Sequence, residues 1–152
     1  MASSHPEPSL GPLAGVLGFH LAQASVATDA SFRRVIGEPF GLRKVEFTLL
    51  MLLLSNGPMA PKALARALTL TAPNLSLQLD RLVERELLRR APNPADGRSQ
   101  HIALTAAGQR LARKAAAAAP TIESALNARL SPAEHAMLIE LLCKLCGRRA
   151  PA

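Results

Sequence analysis

The chain has 152 residues, enough for one domain that buries most of its apolar surface. Hydrophobic residues make up 49% of it, which argues against a disordered chain, and its longest strongly apolar run, Phe47 to Leu54, falls far short of the ~20 residues that span a bilayer. The net charge is +7 and unevenly placed: residues 60–114 hold ten Lys and Arg against four Asp and Glu, while the rest is nearly neutral, so the excess forms one central basic segment of the kind that meets phosphates.

Residues 1–9 are polar and carry two prolines, and read as a flexible tail before a single domain over 10–152. No Lys or Arg occurs in the first twenty residues, so the charged start of a signal peptide is missing and a cytoplasmic protein is expected. Leu10, Leu13, Leu17, Leu21 and Ala24 keep a helical stripe that predicts a first helix over about 10–36, broken by Gly37, Pro39 and Gly41. A second helix, about 42–55, is apolar nearly all round near its end and belongs in the core; Asn56, Gly57 and Pro58 stop it.

A short helix starts at Pro61, a favoured first helical position, and ends near Leu68. Thr69-Leu70-Thr71 is a turn, with Thr71 placed to cap a helix over about 72–87 whose buried stripe is Leu75, Leu79, Leu82 and Val83. Two short strands follow, 88–91 and 100–104, around the turn-rich Pro92 to Ser99, and make a hairpin. Thr105 caps a fifth helix through the alanine run Ala115 to Ala119, which Pro120 kinks or interrupts. Ser131-Pro132-Ala133-Glu134 is a capping box that opens a last helix to about Cys146, ended by Gly147.

Helix, turn, helix and hairpin together make a winged helix-turn-helix, mainly α with a small β-hairpin wing. The helix after the turn fits a major groove about 12 Å wide, and the central positive charge falls on these elements. With Leu75, Leu79, Leu82 and Val83 inward, Pro73, Asn74, Leu77 and Arg81 point outward and Ser76 and Gln78 lie on the flanks. Asn74 or Gln78 suits adenine, Arg81 guanine or phosphate, and Leu77 a thymine methyl. Arg98 at the wing tip suits a narrow minor groove, with Asp96 holding the turn or the Arg98 guanidinium. Four Phe and no Tyr or Trp leave little to stack single-stranded bases, which favours duplex DNA.

The last helix is apolar over too wide an arc for one buried face, through Met137, Leu138, Ile139, Leu141, Leu142 and Leu145. That predicts a homodimer paired through the terminal helices, 10–36 and 109–147, around a DNA-binding lobe of about 41–108. Such a dimer sets two recognition helices ~34 Å apart on a palindromic operator. His5, His20, His101 and His135 are scattered, and Cys143 and Cys146 lack two further clustered zinc ligands, so no catalytic residue, metal or cofactor is expected.

The segments Gly41 to Leu50, Leu64-Ala65, Asn74 to Leu82, Arg90 to Arg98, and Leu104-Thr105 with Gly108 resemble the MarR family of transcriptional regulators, the wing segment most specifically. The resemblance spans about residues 10–147. Leu77 departs from it where many members have Arg, and Glu86 where many have Gly at the turn into the wing. It implies a repressor released from its operator by a small phenolic or aromatic acid bound between the dimer helices and the DNA-binding lobe. The walls expected for that pocket are Phe19, Phe40 and Phe47, with His20 and Arg43 as polar partners. Two other readings differ in kind: an oxidant sensor through Cys143 and Cys146, whose apolar helix argues for inert thiols, and an effector-free architectural DNA-binding protein.

Overall fold

The computed structural model describes residues 8–92 and 100–149, the side chains of 125–127 excepted. The chain opens with a 3-10 turn, Gly11–Gly15, and steps through an extended Val16 into α1, Leu17–Phe32. The predicted single helix over 10–36 is therefore divided at its start. At its other end, Gly37 and Pro39 do not break it: the chain winds through a π turn, Arg33–Gly37, into a short α2, Glu38–Phe40. Pro39 has no N–H to donate and its ring crowds the carbonyl one turn back, and the widened turn ahead of it relieves both. Gly41, left-handed at φ 59°, ends the run.

α3, Lys44–Asn56, is the centre of the molecule, with α6 (Ala106–Ala118), α4 (Pro61–Leu68), α5 (Ala72–Glu84) and the second hairpin strand packed on it. Leu49, Leu50 and Leu53 of α3 meet Leu64 of α4, Leu75, Leu79 and Leu82 of α5, and Leu88 and Ile102 of the hairpin in one core. The hairpin pairs β1, Leu88–Pro92, antiparallel with β2, Gln100–Leu104, in the register Leu88 to Leu104 and Pro92 to Gln100. One pairing was not foreseen: Met59 bridges Ile102 by two backbone hydrogen bonds, so the chain before α4 is stitched to the wing.

Thr105 caps α6 as expected, its hydroxyl accepting from the Gly108 N–H at 2.9 Å. The same hydroxyl donates to the Glu86 carbonyl at 2.6 Å, and the Thr105 N–H reaches the Leu87 carbonyl at 3.1 Å. Gly108 backs directly onto that Leu87 carbonyl, where an added Cβ would stand 2.0 Å from the oxygen. Pro120 interrupts the alanine helix outright and begins α7, Pro120–Asn127.

α1 packs against α7, tied by the buried Ser31 hydroxyl donating to the Ile122 carbonyl at 2.6 Å. α8, Pro132–Leu145, has the predicted capping box at Ser131 and Glu134 and ends at a left-handed Gly147. The terminal elements leave many apolar side chains in solvent in one chain. Leu13, Leu17 and Val26 near the start, and Met137, Leu138, Leu141 and Leu145 on α8, are all exposed, and no residue of α8 is buried.

Candidate nucleic-acid interface

α4 begins at Pro61 and stops where Thr69 turns left-handed at φ 55°. The Leu70 N–H then closes the turn on the Ala65 carbonyl at 2.9 Å, and extended Thr71 starts α5. Thr71 holds the capping position by its backbone alone; its side chain makes no cap hydrogen bond. Pro73 in the first turn of α5 needs no donor there, which is why the sequence tolerates it.

Leu75, Leu79 and Leu82 fix the inward face of α5. The opposite face presents Pro73, Asn74, Ser76 and Leu77 to solvent, with Leu77 half exposed at 52%. The helical spacing places Pro73, Asn74 and Leu77 outward and Ser76 on the flank, and together they form a row that a groove can meet. Two predicted contacts sit differently. Arg81 is half-buried and lines a cleft beside α5. Gln78 is half-buried, and its Oε1 is sealed from solvent without a hydrogen-bond partner among the described residues, so its carbonyl is not presented to adenine in this conformation.

The wing is oriented by a contact that sequence spacing missed. Asp80 on α5 accepts from the Arg90 guanidinium of β1 at 2.7 Å and from the Ser76 hydroxyl at 3.4 Å. Recognition helix and wing are thus pinned on the solvent side as well as through the core. Arg89 and Arg90 of β1, with Lys62 and Arg66 of α4, give the surroundings of α5 their positive charge. The wing tip, with Asp96 and Arg98, lies outside the described residues.

A second missed element is Glu46. Its carboxylate is buried within α3, accepts from the Arg43 N–H at 2.9 Å and pairs with Arg85 at 3.4 Å. The pair ties the start of α3 to the end of the recognition helix. It floors a cleft of about 530 Å³ in which Arg43, Arg81 and Arg85 face Glu46 and Glu84. An acid in a helix otherwise so apolar is the sequence signal that could have found it, since a buried carboxylate needs a partner.

The pocket expected from Phe19, His20, Phe40, Arg43 and Phe47 does not assemble within one chain. Phe40 and Phe47 pack on the core, where the Phe47 ring meets Phe32 edge-on at 5.7 Å. Phe19 and His20 pair with each other at 5.5 Å, and His20 Nε2 lies 2.9 Å from the Ala14 carbonyl. They stand about 20 Å up α1 from Phe32 at 1.5 Å per helical residue, too far for side chains to bridge. Among the described residues no group of three or more His, Cys, Asp and Glu is placed to hold a metal, and no helix is long and apolar enough to cross a membrane.

Residues 42–100, the core of this lobe, match the model of the MarR family. A Thauera aromatica protein assigned as transcriptional regulatory protein for the hcr operon is 30% identical over 135 residues, spanning 89% of this chain and 81% of its own. The transcriptional repressor CouR, solved bound to a 23-mer DNA duplex, superposes with a TM-score of 0.83 at 27% identity, over 93% of this chain and 99% of that one. BpsR of Bordetella bronchiseptica, whose DNA binding is regulated by 6-hydroxynicotinic acid, gives 0.79 at 26% identity, over 88% and 94%.

Proposed function

The chain belongs to the MarR family of DNA-binding transcriptional regulators, and on that premise we propose that it is a homodimeric repressor released from a palindromic operator by a small aromatic acid. The observation that carries the DNA reading is the solvent-facing row Pro73, Asn74, Ser76 and Leu77 on α5, held between α4 and a hairpin pinned to it through Asp80 and Arg90. The exposed apolar sides of α1 and α8 support the dimer: a monomer would leave them in water, and two copies joined there bring two recognition helices to one face of a duplex.

The effector reading rests on the relative whose DNA binding responds to 6-hydroxynicotinic acid, and on the arginine-lined cleft. Arg43 remains its polar anchor, now with Arg81 and Arg85 beside it in place of His20, while Leu42 rather than a phenylalanine supplies apolar surface in its lining. A carboxylate gains charge-assisted bonds from these guanidinium groups. Arg81 and Arg85 belong to the recognition helix and its end, so such a ligand touches the element that reads DNA. It shifts operator binding only by as much as it prefers one placement of that helix.

The test is a footprint on DNA flanking the protein's own gene, with and without a panel of benzoates, hydroxybenzoates and hydroxycinnamates. The proposal expects a two-fold symmetric protected site that one of these acids opens. It also expects Arg43→Ala to weaken that acid at least tenfold, about 1.4 kcal/mol. Protection without symmetry, or indifference to every acid, would remove the corresponding part of the reading.

A further inference from the structure

The last turn of α8 carries a C-x-x-C pair, Cys143 and Cys146, that DNA binding does not use. Both thiols are free; Cys143 is half-buried and Cys146 is exposed. The apolar composition of α8 suggests inert, buried thiols, yet Cys146 is exposed and Cys143 is only half-buried in one chain. At 3.6 residues per turn Met137, Leu141 and Leu145 lie on the other side of α8 from the pair, while the exposed Ile139 falls between the two cysteines.

Helical residues three apart hold their Cβ atoms about 5–6 Å from one another. A disulfide needs about 3.5–4.5 Å, so forming one would unwind the last turn. A metal ion bridging two thiolates asks for no such movement. With metal–sulfur bonds near 2.3 Å it accepts sulfurs up to ~4.6 Å apart, within easy reach of those Cβ positions. No third ligand is grouped with the pair among the described residues, which disfavours zinc with its four ligands. Soft thiolates with no further ligand select cuprous ion among common cellular metals.

We propose that Cys143 and Cys146 form a two-thiolate site for Cu(I), one ion per chain. Loading replaces two S–H bonds by two Cu–S bonds and releases two protons to solvent, with no change of oxidation state. The negative end of the α8 dipole opposes thiolate formation, and the bound cation overcomes it. The loaded site carries one net negative charge, and Arg148 and Arg149 follow the helix in sequence. Arg148 also donates to the Ala67 carbonyl at 2.8 Å, so the site adjoins a tether to the end of α4.

The full-length reduced protein is titrated anaerobically with Cu(I) in competition with the chromogenic chelator bicinchoninate, and the loaded form is weighed by native mass spectrometry. One copper per chain is expected, with Cys143→Ser and Cys146→Ser each weakening binding at least 100-fold. Because Cys146 is exposed, its replacement leaves the fold intact, which circular dichroism checks. Copper binding undiminished in either variant, or no withdrawal of copper from the chelator, overturns the site. Zinc bound tightly at one ion per two chains would overturn the two-coordinate assignment in favour of a four-thiolate site shared by two copies.

Discussion

Replacing Gly108 by Ala should meet a closer contact than the same change at any other described glycine, and its cost can be worked from the geometry. The new Cβ would lie 2.0 Å from the Leu87 carbonyl oxygen and 2.9 Å from its carbon, where ordinary contact begins near 3.4 Å. Either the first turn of α6 or the Leu87 peptide must move by more than an ångström. Neither is free. The Leu87 carbonyl accepts from the Thr105 N–H at 3.1 Å, and the Thr105 hydroxyl bridges the Glu86 carbonyl and the Gly108 N–H. Overpacking costs about 1–3 kcal/mol, and two strained hydrogen bonds add about 1 kcal/mol each. The sum, about 3–5 kcal/mol, is a large share of the roughly 5–15 kcal/mol that holds a domain together. Thermal unfolding followed by circular dichroism, at one fixed protein concentration, should show Tm lowered by roughly 6–20 °C. A variant that melts within about 2 °C of the parent would refute the close approach and with it the junction of recognition helix, wing and α6.

Glu86 stands left-handed at φ 55°, at the position where glycine would be at ease. Glu86→Gly should relieve about 1–2 kcal/mol of backbone strain and give back about 0.5–1 in unfolded-state entropy. The net gain, up to about 1.5 kcal/mol, should raise Tm by up to roughly 6 °C in the same melting experiment. The Asp80–Arg90 pair is half exposed, so Asp80→Ala should cost under about 1 kcal/mol of stability by denaturant titration. The same change loosens the wing and adds net positive charge, so the ratio of operator to shuffled-duplex affinity in fluorescence anisotropy should fall several-fold. The Ser131 backbone N–H and hydroxyl hold the Glu134 carboxyl below its ordinary 4.5. A lowered folded-state pKa contributes stability that is present above the unfolded value and fades as pH falls through the folded one. Carbon-detected NMR titration should thus find Glu134 titrating below 4.5 in the parent and closer to it in Ser131→Ala.

What the sequence disclosed follows the range over which each signal acts. Helices α4, α5 and α8 and both strands were legible because their cues are local: Pro61 at a first position, the Leu75, Leu79 and Leu82 spacing, the capping box at Ser131. Gly37 and Pro39 misled, because a π turn lets a helix pass residues that end an ordinary one. The Met59 bridge to Ile102 was invisible, as one paired residue between two prolines carries no period. Glu46 with Arg85 and Asp80 with Arg90 are ion pairs 39 and 10 residues apart in the chain, and no periodicity links such positions. The effector residues suffered most. Phe19 and His20 do not reach Phe47 within one chain, because α1 meets the Phe47 region only at its Phe32 end, a placement that helical spacing does not reveal.

The central claim is that α5 reads duplex DNA by sequence, and competition binding tests it most directly. A labelled operator fragment, taken from the footprint, is titrated with protein at fixed salt and challenged with unlabelled operator or with a shuffled duplex of equal length and composition. One dimer per site is expected, with a preference for the operator of at least ~10³-fold, the lower end for specific over non-specific binding. Leu77→Ala and Asn74→Ala should each erode that preference while leaving the salt dependence in place. Equal competition by the two duplexes would contradict the account and mark a protein that holds DNA through charge alone.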